Sequence, residues 1–300
     1  MKTNGEQLPE LRQPRSTRSR WLWGFAILLL AGLFAGGSQW WSSRQFAARF
    51  ESVGGKYYQA QDPTPMTFSL ATERLMSRIL GSEVPIFDVI EFTPGIIDDD
   101  WLRDNRSAIA DMSHLTLVMH GSRITTTGLS YLRGLQCLHS IDLSGTCLAD
   151  SSLTHVVTHP NLVDLSIPGT GISDAALEVL SQMPHLVAVS VDSMQATQIG
   201  IAHLAKCPKL EILNLHDAND DNVAQLRQLP RLDFLTLQNA QLTKKSLTSF
   251  KAIPKLSLLT FIDCDLSDEH LAQLQTALPT CQVQRFTSQQ IEEIQKAFLD

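Results

Sequence analysis

Apolar positions along this chain recur on a beat of 24 residues through its C-terminal two thirds. A phrase of the form L-x-x-L-x-L, with any aliphatic residue at L, begins at Leu138 and restarts at Leu162, Leu186 and Leu210. It slips by two residues to Leu232 and resumes at Leu256. Each restart is followed by a second apolar stretch and, just before the next phrase, by a proline: Pro160, Pro184, Pro208, Pro230 and Pro254. In residues 162–183, Leu162, Leu165 and Ile167 alternate at the strand period and share one face. Ser173 and Asp174 then supply a helix N-cap, and Leu177 with Leu180 forms the inward stripe of a short helix. Pro184 stops that helix and turns the chain back.

The same roles recur with Ile141, Leu143, Leu148, Leu153 and Val156, with Leu235, Leu237, Leu242, Leu247 and Phe250, and with Leu259, Phe261, Leu266, Leu271 and Leu274. Upstream, Leu117, Met119, Ile124, Leu129 and Leu132 fit a further unit. Ile90, Phe92, Ile97 and Leu102 fit a degenerate one, 27 residues earlier. The total is eight units, none with a closed core of its own, so neighbours must stack to bury their leucines. The expected fold is an α/β solenoid with parallel strands on one face and short helices on the other.

An open stack exposes sheet edges and needs ends. Residues 54–85 are expected to cap the front, with a short strand at 56–59 and a helix at 72–80. At the back, Thr287-Ser-Gln-Gln290 reads as a capping box opening a helix whose apolar stripe is Ile291, Ile294 and Phe298.

The other end of the chain follows a different pattern. Trp21 to Ser43 contains no charged residue. At about 1.5 Å per residue it is long enough to cross a hydrocarbon core of about 30 Å. Trp21, Trp23, Trp40 and Trp41 stand where amphipathic rings prefer the headgroup layer. A cleavable signal peptide, with Ala35 and Gly37 before its cleavage site, is the rival reading. The apolar run exceeds the usual h-region of about 7–15 residues, which favours a retained anchor. Gly32 and Gly36 form one small-xxx-small pair, compatible with helix dimerisation. Lys2, Arg12, Arg15, Arg18 and Arg20 outnumber Glu6 and Glu10 before the span. The N-terminus is therefore expected in the cytoplasm and everything after Ser43 outside it. The domain reading is a basic cytoplasmic tail (1–20), a transmembrane helix (21–43), a linker and N-terminal cap (44–85), the solenoid (86–286) and a C-terminal helix (287–300).

Formal net charge is −7, and the basic tail hides a more acidic remainder, which argues against a nucleic-acid surface. Five cysteines (Cys137, Cys147, Cys207, Cys264, Cys281) form no C-x-x-C pair and no zinc spacing. They read as small buried hydrophobes, with Cys281 the candidate free thiol. His155 and His159 stand four apart on one helix without the glutamate of H-E-x-x-H, and read as solvated histidines rather than metal ligands. Asp217, Asn219 and Asp221 match the opening of a calcium loop, but Asn222 replaces its glycine and Gln228 its bidentate glutamate. A replacement turn and helix cap is the plainer reading of that cluster. Asp98, Asp99 and Asp100 read as a helix cap with an acidic first turn. No phosphate loop, nucleophile elbow or catalytic Cys/His pair is present, so the chain is read as no enzyme and as needing no cofactor.

Ser-Gly-Thr-Cys-Leu-Ala-Asp-Ser-Ser-Leu and Pro-Gly-Thr-Gly-Ile-Ser-Asp-Ala-Ala-Leu resemble the G-T-x-I-T-D-x-x-L pattern of membrane-anchored bacterial leucine-rich-repeat proteins of the planctomycete type. The lead-in Phe50-Glu-Ser-Val-Gly-Gly-Lys-Tyr-Tyr and the ending Ala277-Leu-Pro-Thr-Cys-Gln-Val are similar to that group's as well. The resemblance implies a curved solenoid that binds protein partners. One departure is that the ladder asparagine of the commonest repeat type is replaced by Thr146, Thr170, Met194, Ala218, Ala240 and Cys264.

In each strand phrase the third position, the fifth, and the one after the last leucine should face away from the core, giving three columns on the concave sheet. The front half carries Asp142 and Asp164. The back half carries Ile212, Asn214, His216, Phe234, Thr236, Gln238, Leu258 and Thr260. Ile212, Phe234 and Leu258 would form an exposed apolar strip, the expected contact for a partner. The functional expectation is a scaffold anchored in the lipid bilayer by its N-terminal helix and binding a protein, not a nucleic acid, through the concave face. A cytoplasm-facing adaptor and a calcium-dependent enzyme are the alternatives.

Overall fold

The computed structural model describes residues 55–60, 87–192, 197–291 and 293. The chain divides into two units, Met1–Arg49 and Phe50–Asp300, and every described residue lies in the second. The expected membrane span, the cap helix at 72–80 and the positions Ile294 and Phe298 fall outside the described residues. Among the described residues no helix is long and apolar enough to cross a membrane.

Ten strands form one sheet in chain order: β1 (Gly55–Ala60), β2 (Phe87–Phe92), β3 (Leu115–Val118), β4 (Leu138–Asp142), β5 (Asp164–Ser166), β6 (Ala188–Asp192), β7 (Ile212–His216), β8 (Phe234–Gln238), β9 (Leu258–Ile262) and β10 (Gln282–Phe286). β2 to β10 are parallel, and helical segments connect β2 through β10. The architecture is the α/β solenoid that the period demands. β2 to β9 open the eight expected units, and β1 pairs antiparallel with β2, covering its edge. β10 is a strand that the leucine count misses, because only Val283 of its residues is buried.

Inner-face residues of successive strands carry the core. Ile90, Leu117, Ile141, Leu165, Val189, Leu213, Leu235 and Leu259 are buried to 1% or less, in register with one another. The two-residue slip leaves the register intact, with Ile212 opposite Phe234 and Leu213 opposite Leu235. The helical layer departs from expectation in kind. Residues Asp150–Ser152 and Ala175–Gln182 are 3-10 helices. A 3-10 segment rises about 2.0 Å per residue against 1.5 Å for an α-helix, so a short unit can cross the same depth with fewer residues. Leu242, Leu247 and Leu271 are only half-buried, while Phe250 and Leu274 take the inner positions.

A left-handed residue follows most of the strands: Gly95, Gly121, Gly145 and Gly169 early on, then Asp217, Asn239 and Asp263, all with positive φ. The glycines stack closely, since a Cβ on Gly169 would lie 3.5 Å from Gly145. Asp and Asn tolerate this conformation better than other side chains.

The units are also tied by a recurring bond near the helix starts. Asp99 accepts from the Thr125 N–H (2.8 Å) and hydroxyl (2.5 Å). Asp150 accepts from the Ser173 N–H (2.7 Å) and hydroxyl (2.9 Å). Asp174 accepts from the Thr197 hydroxyl. Asp220 accepts from the Thr243 N–H (3.0 Å) and hydroxyl (2.5 Å). Each carboxylate lies at a helix start, where the dipole favours it, and completes the entry of the next unit's helical segment. Asp220→Ala should cost about 1.5–2 kcal/mol in urea unfolding, the lower part of the range for hydrogen bonds to a charged group, because the pair is exposed. Thr243→Val should cost a similar amount, and the double variant little more than either. Full additivity of the two losses would show that the bond is not what couples the units.

At the back, the Thr287 N–H donates to Gln290 Oε1 (2.9 Å) and the Gln290 N–H to Thr287 Oγ (3.2 Å), the capping box read from the sequence. Arg285 reaches Leu266 O and Asp268. Asp263 accepts from the Ser288 N–H at 2.9 Å.

Candidate functional site

Side chains that alternate with the core leucines stand on the other face of the sheet, and parallel register aligns them in columns. Ser140, Asp164, Ala188, Ile212, Phe234 and Leu258 pair strand to strand along one column. Asp142, Ser166, Ser190, Asn214, Thr236 and Thr260 pair along the next. Asp192, His216, Gln238 and Ile262 pair along the third. All ten expected site residues therefore share one face.

The apolar strip is not exposed as expected. Ile212 is 1% accessible, Phe234 6% and Leu258 6%, and with Val187 and Ala188 they form a hydrophobic cluster with Val163 packed against it. In-register neighbours about 4.8 Å apart cover one another's flanks, which the sequence reading left out. Asp164, Asn214 and Thr260 are buried too. Asp142, His216, Thr236 and Gln238 are half-exposed. The face thus has a buried floor and a polar, accessible margin toward the C-terminal ends of the strands.

The floor of β4 to β7 is a hydrogen-bonded polar network. Ser140 Oγ donates to Asp164 Oδ2 (2.8 Å). Asp142 Oδ1 accepts from both the N–H (2.8 Å) and the hydroxyl (2.5 Å) of Ser144, whose oxygen lies 2.8 Å from Ser166 Oγ. Asn214 Nδ2 donates to Ser190 Oγ (3.2 Å), while Asn214 Oδ1 is buried with no hydrogen-bond partner. Asp192 Oδ2 accepts from the Gly169 N–H (3.1 Å). Burial pushes the His216 imidazole below its ordinary pKa, against the opposing pull of Asp217, Asp192 and Asp142. Carboxylates from two strands, Asp142 on β4 and Asp192 on β6, and from the turn after β7, Asp217, therefore act on one point of the face.

The calcium reading fails on geometry. Asn219 Oδ1 accepts from the N–H groups of Asp221 (2.9 Å) and Asn222 (3.0 Å), and the Asn219 N–H donates to Asn222 Oδ1 (3.0 Å). This capping box uses the oxygen a cation would need, and Asp217 is one of the left-handed turn residues. Among the described residues no group of three or more His, Cys, Asp or Glu side chains could hold a metal ion.

All five cysteines are free. Cys281, the expected free thiol, is buried, and burial pushes it up to about 11, as it does Cys207. Cys147 is the exposed one.

His159 is not the solvated residue the sequence suggested. It is 4% accessible and fills a buried column otherwise held by Leu135, Met183, Cys207, Leu229 and Ile253. Its Nδ1 lies 3.4 Å from Leu135 O, and burial lowers its pKa to about 4. Because the folded pKa lies below the unfolded value of about 6.5, the unfolded chain binds the extra proton. Stability is then unaffected by this group above pH 6.5 and falls as pH drops from 6.5 toward 4. The loss should approach about 3 kcal/mol at about 1.4 kcal/mol per unit. His159→Leu should flatten that part of the pH profile in urea unfolding. Unchanged slopes would show that this imidazole is not held neutral.

No family model matches the chain, and no curated protein does. Among solved structures, the chain is similar to an internalin C2 from Listeria monocytogenes at 17% identity, covering 66% of this chain and 80% of that one, with a TM-score of 0.40. It is similar to a TLR13–ssRNA13 complex at 16% identity, covering 61% and 33% with a TM-score of 0.36. It is also similar to the plant peptide hormone receptor RGFR1 in complex with RGF2, at 14% identity, covering 58% and 28% with a TM-score of 0.29. The chain thus spans about a third of either receptor. Likenesses this loose do not bear on its function, and the architecture stands on its own strand register.

Proposed function

We propose that this chain is a non-catalytic, membrane-anchored protein of the leucine-rich-repeat type that binds a polypeptide partner through the outer face of its sheet, outside the cytoplasm. The observation that carries the reading is the alignment of three columns over successive parallel strands, which gives a continuous face of side chains at a fixed spacing of about 4.8 Å. The ten residues from Asp142 to Thr260 serve this site in two ways. Asp164, Ile212, Asn214, Phe234, Leu258 and Thr260 make a rigid floor, and Asp142, His216, Thr236 and Gln238 make the margin that a partner touches first. Rigid elements hold a binding constellation better than loops do. The uncharged run from Trp21 to Ser43, with the basic residues before it, supports the anchor and the outward orientation of the repeats.

Cys147 provides a native handle for the topology. A membrane-impermeant thiol reagent should label it in intact spheroplasts and should fail on Cys147→Ser. Thr3→Cys in that background should stay unlabelled until the membrane is opened. Labelling at Thr3 but not at Cys147 would reverse the orientation and make the protein a cytoplasm-facing adaptor. For the face itself, Thr236→Trp with Gln238→Trp should abolish partner capture by the full chain. Undiminished capture would place the partner elsewhere.

A further inference from the structure

The three columns of the outer face carry Asp142, Asp164 and Asp192 on three successive strands and no lysine or arginine. Beside them Asn214 Oδ1 points from β7 into the same face, buried at 5% accessibility with no hydrogen-bond partner. A buried acceptor left unmade costs free energy that a donor from outside would recover. Asp142 and Asp192 are half-exposed, and the hydrogen bonds from the Ser144 and Gly169 N–H groups fix their carboxylates in place. Preorganised carboxylates of this kind bind a cation without reorganising. Their field already reaches the imidazole of His216 in the third column. The apolar members of the face are packed against one another and buried, so they leave a partner little accessible apolar surface. Recognition therefore falls to the polar half.

We propose that the partner presents lysine or arginine side chains of an extended, basic polypeptide segment, which seat over Asp142, Asp192 and Asn214 Oδ1. The proposal rests on the outer-face reading above and adds the chemistry of what binds there. A nucleic acid or an anionic lipid surface has the wrong sign for these columns. Asp142 and Asp192 stand on β4 and β6, two strand spacings or about 9.6 Å apart across the sheet, a gap that long lysine or arginine side chains alternating about 6.8 Å apart along an extended strand can span, and the strand's hydroxyl or amide donors can reach the accepting oxygens between them.

The test uses the full chain in nanodiscs of zwitterionic lipid, with empty nanodiscs as the blank. Two labelled probes are titrated by fluorescence anisotropy: a short peptide alternating lysine and threonine, and its counterpart alternating glutamate and threonine. The lysine peptide should bind, more weakly as salt is raised, and the glutamate peptide should not. Asp142→Asn with Asp192→Asn keeps the oxygens that accept from Ser144 and Gly169 and should weaken the lysine peptide by about tenfold while leaving the melting temperature unchanged. Thr236→Trp with Gln238→Trp should block binding by occupying the face. Equal binding of both peptides, or no loss in the asparagine variant, overturns the cationic chemistry. If the tryptophan variant still blocks, the outer-face reading survives that result. If the lysine peptide binds undiminished to the tryptophan variant as well, both fall.

Discussion

Leu213→Ala is expected to destabilise the repeat domain by about 2–5 kcal/mol in equilibrium unfolding, the range for emptying a fully buried leucine site. Leu213 is inaccessible on the inner face of β7, and its in-register neighbours Val189 and Leu235 are equally buried. A cavity there removes contacts from three units at once. In a stack whose stability is a sum of unit and interface terms, the damage is felt at both interfaces. Val163→Ala is the control. That side chain is half-buried beside the outer-face cluster, and its loss should cost about 1 kcal/mol. Equal losses at the two positions would mean that the inner and outer faces have been exchanged.

Phe234→Ala is expected to cost about 3 kcal/mol, although Phe234 faces away from the leucine core. Its ring is 6% accessible, stands in register between Ile212 and Leu258, and forms one packed cluster with them and with Val187 and Ala188. The sequence alone suggests the opposite, an exposed anchor whose removal leaves stability intact. Register decides between the two. A lone aromatic on a sheet surface would be open, but one flanked on both sides by aliphatic residues on the adjoining strands is covered along its edges. Phe234→Leu should recover most of the loss. A melting temperature unchanged in Phe234→Ala would show that the ladder is open after all.

The particular residues show why some features were legible and others were not. Inner-face positions such as Leu165, Leu213 and Leu259 are fixed by a period that has no other physical solution, so the strands and their register follow from it. The capping box at Thr287 and Gln290 was legible for a similar reason: it is local, with both halves within four residues. What escaped is what depends on partners a whole unit away. Asp174 reads as part of a helix start, and nothing local says that its carboxylate bonds Thr197. His159 reads as polar and therefore solvated, yet the column it fills is set by residues 24 positions before and after it. The calcium-like cluster is the turn and helix cap that was its plainer reading. Asp217 is there for its backbone conformation and Asn219 for capping, two roles that share residue types with a ligand loop. The site was legible as a set of positions on one face, but not as accessible or buried.

The bond near the helix starts has a further consequence for how such a chain changes length. In the unit that contains Ser173 and Asp174, the hydroxyl that receives support from the unit before and the carboxylate that gives support to the unit after are adjacent in sequence. A single cassette therefore carries both halves of the joint. Duplicated in tandem, it would supply its own donor to its own acceptor and could be spliced in without redesigning either neighbour. Removed, it would leave Asp150 facing Thr197, a hydroxyl of the same kind. The connector stands on both sides of this unit, so such a solenoid can gain or lose a unit at this point while keeping its seams intact.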